Sequence, residues 1–103
     1  MKRIKKNSCI TILGRDYFDN RAGHSYQNSR IYVDNDYLMT TVIEGQHDEG
    51  YVAQALELLL ENGYLKESMN CNRSRLSDKY GYKFLCHCED VKRYSHLYQI
   101  ESD

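Results

Sequence analysis

The segment DEGYVAQALELLLENG, residues 48–63, constrains the fold of this chain more than any other. Val52, Ala55, Leu56, Leu59 and Leu60 recur at i, i+3, i+4, i+7 and i+8, which places them along one side of an α-helix. Asp48 can cap the N-terminus, Glu49 suits the positive end of the helix dipole, and Gly63 stands where a left-handed glycine closes a helix. A single apolar stripe must be buried against something. A chain of 103 residues has room for one domain and one core.

The rest of the chain is patterned for strands. SCITIL, residues 8–13, is β-branched and ends at Gly14, and the RDYFDNRAG that follows reads as a turn-rich connection. SYQNSRIYV, residues 25–33, alternates, with Tyr26, Asn28, Arg30 and Tyr32 on one face and Ser29, Ile31 and Val33 on the other. Asp34-Asn35-Asp36 is a hairpin turn leading into a return strand, Tyr37 to Glu44. Beyond the helix, a short helical turn fits Ser74 to Lys79. Tyr80 to Glu89 alternates again, with Tyr82, Phe84, Cys86 and Cys88 on one side and Lys83, Leu85 and His87 on the other. After the polar break Asp90 to Arg93, Tyr94 to Ile100 is expected to complete a hairpin. The expected architecture is a single two-layer α+β domain spanning residues 1–103. An antiparallel sheet, in the order β-β-β-α-β-β, packs on one main helix, and residues 1–7 form a flexible basic tail.

Charge is unevenly placed along the chain. Residues 1–33 carry seven Lys or Arg against two acids, whereas residues 34–68 carry one Lys against eight acids. No stretch is apolar for long enough to span a bilayer, and the first apolar run, closed by Gly14, is too short for a secretory signal. Cys9, Cys71, Cys86 and Cys88 are therefore expected as free thiols in a reducing cytoplasm, small core or surface residues without a metal.

No motif in the chain specifies a reaction. Cys86-x-Cys88 supplies only two ligands from one local unit, its neighbour His87 points the other way, and Cys71 and His96 are distant in sequence. Asp34 and Asp36 could be a Mg²⁺-binding D-x-D pair, but a turn favours the same residues. No nucleophile sits in a recognised catalytic signature, and no glycine-rich loop opens the helix to cradle a phosphate. Neither catalysis nor a cofactor is expected.

Two binding surfaces remain as candidates. The first is acidic: Glu57 and Glu61 one helical turn apart, Asp48 and Glu49 at the helix start, and Asp34 and Asp36 in the hairpin. A like-charged i,i+4 pair is slightly unfavourable for the helix itself, as it would be if it served to dock against a basic protein groove. The alternative is basic. Lys2, Arg3, Lys5, Lys6, Arg15, Arg21 and Arg30, close in sequence to Tyr17, Phe18, Tyr26 and Tyr32, could combine phosphate contacts with base stacking.

Gly14-Arg15-Asp16-Tyr17-Phe18-Asp19, Gly23-His24-Ser25-Tyr26 and Ser29-Arg30-Ile31-Tyr32-Val33, followed by the helical segment His47 to Gly63, resemble the N-terminal pattern of a group of small uncharacterised bacteriophage proteins. His24 stands where that pattern has Asn, Gln27 where it has His, and Asn28 is extra to its spacing. The resemblance implies a phage or mobile-element source. It also suggests a non-enzymatic inhibitor of a bacterial host protein or nucleoprotein complex, of anti-CRISPR or other anti-defence type, acting in the host cytoplasm by occlusion. It assigns no catalytic residue.

Overall fold

The computed structural model describes residues 3–45, 50–65 and 73–97. In chain order the elements are β1 (Cys9–Asp19), β2 (His24–Val33), β3 (Asp36–Thr40), β4 (Glu44–Gly45), α1 (Gly50–Glu61), α2 (Arg73–Tyr80), β5 (Lys83–Asp90) and a 3-10 helix (Tyr94–Leu97). The fold is α+β, a sheet packed against one main helix, as the sequence predicts. The sheet runs β3-β2-β1-β5, with β4 pairing β2 further along the same strand.

β1 and β2 form a long antiparallel ladder, from Ile10 opposite Val33 to Asp19 opposite His24. RDYFD is therefore strand, and the turn shrinks to the residues after Asp19. The Asp19 carboxylate accepts the Arg21 N–H at 3.0 Å, its backbone carbonyl accepts the Gly23 N–H at 2.8 Å, and Gly23 has φ 68°. Asp and Gly residues in this stretch carry a local turn signal, but pairing with all of β2 outweighs it. The next turn is as expected. Asp34 (φ 50°) and Asn35 (φ 74°) both adopt the left-handed conformation of a two-residue hairpin turn.

The expected return strand is broken. β3 ends at Thr40, after a bulge opposite Ile31 and Tyr32. At Thr41 the side-chain Oγ1 accepts the Ser29 N–H at 2.8 Å, in place of a ladder carbonyl. The chain then re-pairs with β2 only at β4.

α1 follows its sequence pattern. Val52, Ala55, Leu56 and Leu59 are buried, Leu60 is half-buried rather than fully enclosed, and Tyr51 joins the buried set. The expected cap residues Asp48 and Glu49 lie outside the described residues. At the other end Gly63 has φ 81°, the Gly63 N–H donates to Leu60 O at 3.1 Å, and the Tyr64 N–H donates to Leu59 O at 2.9 Å. This is a Schellman closure. The helix lies over Ile10, Ile12 and Ile31, each 0% exposed. Gly14 permits the approach, because a Cβ there would stand 2.6 Å from the Tyr51 ring.

Three further expectations are corrected. The sheet is mixed, because β5 runs parallel to β1, with Cys9 beside Lys83 and Asp16 beside Asp90. The long connection through two helices returns β5 in the same direction as β1, which no tight turn could do. Tyr94–Leu97 is a 3-10 helix and forms no hairpin with β5. The N-terminal segment is also anchored from Ile4 onward: Ile4 is 8% exposed, its N–H donates to Tyr64 O at 3.0 Å, and its carbonyl accepts the Tyr82 hydroxyl at 2.7 Å.

Candidate functional site

Strand alternation divides the sheet into two faces. Ile10, Ile12 and Gly14 of β1 lie beside Val33, Ile31 and Ser29 of β2 and Phe84, Cys86 and Cys88 of β5, on the side that α1 covers. The alternate residues form the other side: Thr11, Leu13, Arg15, Tyr17 and Asp19 of β1, Tyr26, Asn28, Arg30 and Tyr32 of β2, and Lys83, Leu85, His87 and Glu89 of β5.

The second face is covered only in part. Arg15 Nη1 donates to His96 O at 2.6 Å and Asn28 Nδ2 donates to Leu97 O at 2.7 Å, which holds the 3-10 helix across one end. The Tyr94 ring meets Tyr17 and Tyr26 edge-on, with centroids 5.9 and 5.6 Å apart. Between this helix and the chain leaving β3 lies a cleft of about 400 Å³ that reaches Arg15 and Arg30. Arg30 is 9% exposed. Towards the other end, Tyr32 and Tyr37 pack edge to face at 5.7 Å, Tyr37 is half exposed, and Leu85 of β5 is exposed.

The acidic candidates do not form one described surface. Glu57 and Glu61 are exposed on α1, and Asp48 and Glu49 lie outside the described residues. Asp34 has a structural role: its Oδ1 accepts the Cys9 N–H at 2.9 Å and its own N–H donates to Cys9 O at 2.8 Å, extending the β1–β2 ladder. Asp34 and Asp36 also line a second groove together with Arg3 and Lys5. Opposite charges therefore share that groove, and neither sign presents a uniform field there.

The basic candidates are likewise dispersed. Arg3 and Lys6 lie by Tyr80 and Tyr82, Arg21 is exposed at the β1–β2 turn, and Lys2 is outside the described residues. Arg15 and Arg30 line one cleft on the second face. The residues that complete their cleft, Asn28, Thr40, Thr41, Val42, Tyr94 and Leu97, were not singled out by sequence. The alternation that places Asn28 and Arg30 on one face was visible in the sequence. The contribution of Tyr94 and Leu97 was hidden by reading them as strand.

Among the described residues no three His, Cys, Asp or Glu side chains gather closely enough to hold a metal ion. Cys9, Cys86 and Cys88 are free thiols. Burial, then the negative charges of Asp16, Asp90 and Glu89, push the Cys88 thiol up to about 11, which disfavours the nucleophilic thiolate. Among the described residues no helix is long and apolar enough to cross a membrane. Comparison with family models, with curated proteins and with solved structures finds no match for this chain.

Proposed function

We propose that this protein is a non-enzymatic binding protein that acts by occluding a macromolecular partner, and that its docking surface is the sheet face opposite α1. The observation that carries this proposal is the placement of exposed apolar side chains. Among the described residues the exposed large hydrophobics are Phe18, Tyr37, Val42, Leu85 and Tyr94. By alternation or by the cleft they line, all but Phe18 lie on the side that α1 leaves uncovered. Apolar groups gathered on one face, interleaved with Tyr and Arg, have the composition of an interface core. Arg15, Arg30 and Lys83 share this face with Asp19 and Glu89, so it offers a partner both signs of charge. The resemblance of the first sixty residues to small bacteriophage proteins supports a bacterial defence or host complex as that partner, in the host cytoplasm. Free thiols fit such a reducing setting.

A pull-down from bacterial lysate with the wild type, a Leu85→Asp/Tyr37→Ala variant and a Glu57→Lys/Glu61→Lys variant tests the proposal. A stoichiometric protein partner kept by the helix variant and lost by the sheet variant is the expected result. The reverse pattern would move the site to α1.

A second reading, nucleic-acid binding, is favoured by the same convergence of Arg15 and Arg30 with Tyr94. It requires an affinity that falls steeply with salt and resists competition by protein partners.

A further inference from the structure

β5 stands at one end of the strand order, and bonds at its two ends fix the direction of its backbone groups. The Lys83 N–H donates to Ser8 O at 3.0 Å and the Val91 N–H to Asp16 O at 2.8 Å, so the odd-numbered residues turn their peptide groups towards β1. The alternate residues, Phe84, Cys88 and Asp90 among them, turn theirs the other way. Among the described residues no strand pairs with β5 on that side. The strand is 8 residues long, has no proline and runs in unbroken register with β1. Such an edge is a template for a further strand.

The charges along the strand select which one. KFLCHCED begins with Lys83 and ends with Glu89 and Asp90, and Lys83 and Glu89 are both exposed on the face away from α1. An edge that pairs with its own copy about a two-fold axis does so antiparallel. Outward-turned residues must then stand opposite one another, which puts the axis on a residue and not between two. With the axis at Cys86, Lys83 of each copy stands opposite Glu89 of the other, and Phe84 stands opposite Cys88. Moving the axis to His87 sets His87 against itself and Phe84 against Asp90. Moving it to Leu85 sets Lys83 against His87 and Glu89 against Gly81. The first register alone matches opposite charges. Glu89 also lies beside Arg15 on its β1 side. Signs therefore alternate across the seam, from Arg15 to Glu89 to Lys83 of the second copy.

We propose that β5 pairs antiparallel with β5 of a second copy of this chain, joining two sheets into one. The two-fold axis is normal to the sheet, so both uncovered faces lie on the same side of the dimer. A seam one strand long is small, and the dimer is therefore reversible and concentration-dependent.

The test is sedimentation velocity of the purified full chain over a concentration series, alongside Lys83→Glu, Glu89→Lys and the Lys83→Glu/Glu89→Lys swap. Circular dichroism reports the folding of each. Either reversal sets like charges opposite each other at two symmetric places and should weaken the dimer about tenfold or more. The swap should restore it, although it carries the same Glu89→Lys change beside Arg15. Amide hydrogen exchange of the wild type needs no variant: the Phe84 and Cys88 N–H groups should exchange more slowly as concentration rises. A chain that stays monomeric through the series, or a dimer indifferent to both reversals, would overturn the proposal. So would a swap that folds without restoring the dimer, or exchange at Phe84 and Cys88 that ignores concentration. Because no lysate partner enters these measurements, their failure is distinct from failure of the docking face.

Discussion

The two faces of the sheet are made from alternate residues of the same strands, yet they are finished in different ways. On the α1 side, Ile10, Ile12 and Ile31 are wholly buried under Val52, Ala55, Leu56 and Leu59, with Gly14 leaving room for Tyr51. On the other side Arg15, Asn28, Arg30 and Tyr32 share the surface with Leu13 and Leu85, and among the described residues the 3-10 helix covers part of it. The first face is a core, where each fully buried aliphatic side chain contributes about 1.5–3 kcal/mol. The second keeps polar and aromatic groups that the core does not need. Residues dispensable for folding are the ones free to serve recognition, and this asymmetry locates the candidate site.

Substitutions on the covered face should have the largest effects. Leu56→Ala or Leu59→Ala should destabilise the protein by about 2–5 kcal/mol in urea melts, because each removes apolar contact and leaves a cavity. A loss below about 1 kcal/mol for both would mean that α1 does not close this face.

Alkaline pH probes the same face less severely. The Cys88 thiol is raised from its ordinary 9.0 to about 11, chiefly by burial. The folded state therefore holds its proton more tightly than the unfolded chain does. Stability from this group is full below pH 9 and is lost as pH rises towards 11. Tyr82, raised by burial and by Tyr80 and opposed by Arg3, acts in the same direction at higher pH. The melting temperature should fall across this window, and Cys88→Ala should make the fall shallower. Parallel pH profiles for the two proteins would show that Cys88 lies outside the buried layer.

The smallest effects should come from the uncovered face. Leu85→Ser and Val42→Ser, at 59% and 67% exposed in the wild type, should change stability by no more than about 0.5 kcal/mol. A larger loss in either melt would mean that this side is closed in solution and is part of the core.

Some features of the molecule are local and could be read from the sequence alone. The α1 stripe, the Gly63 closure, the Asp34-Asn35 turn and the alternation of β2 each depend on side-chain spacing or backbone freedom within a few residues. The partner of β5, the extension of β1 through Asp19, the break at Thr41 and the 3-10 helix at Tyr94–Leu97 are not local. YSHLYQI alternates like a strand, but whether it pairs depends on what the sheet edge and the second face offer. Arg15 reaches a carbonyl 81 residues away and Asn28 one 69 residues away. These contacts draw the 3-10 helix onto the sheet and close the end of the cleft. The sequence determined which residues share a strand face and which helix must be buried, because periodicity is written in adjacent residues. Only the tertiary structure decided that Arg15, Arg30, Tyr94 and Leu97 line one cleft, because that placement depends on contacts between parts of the chain that no short pattern connects.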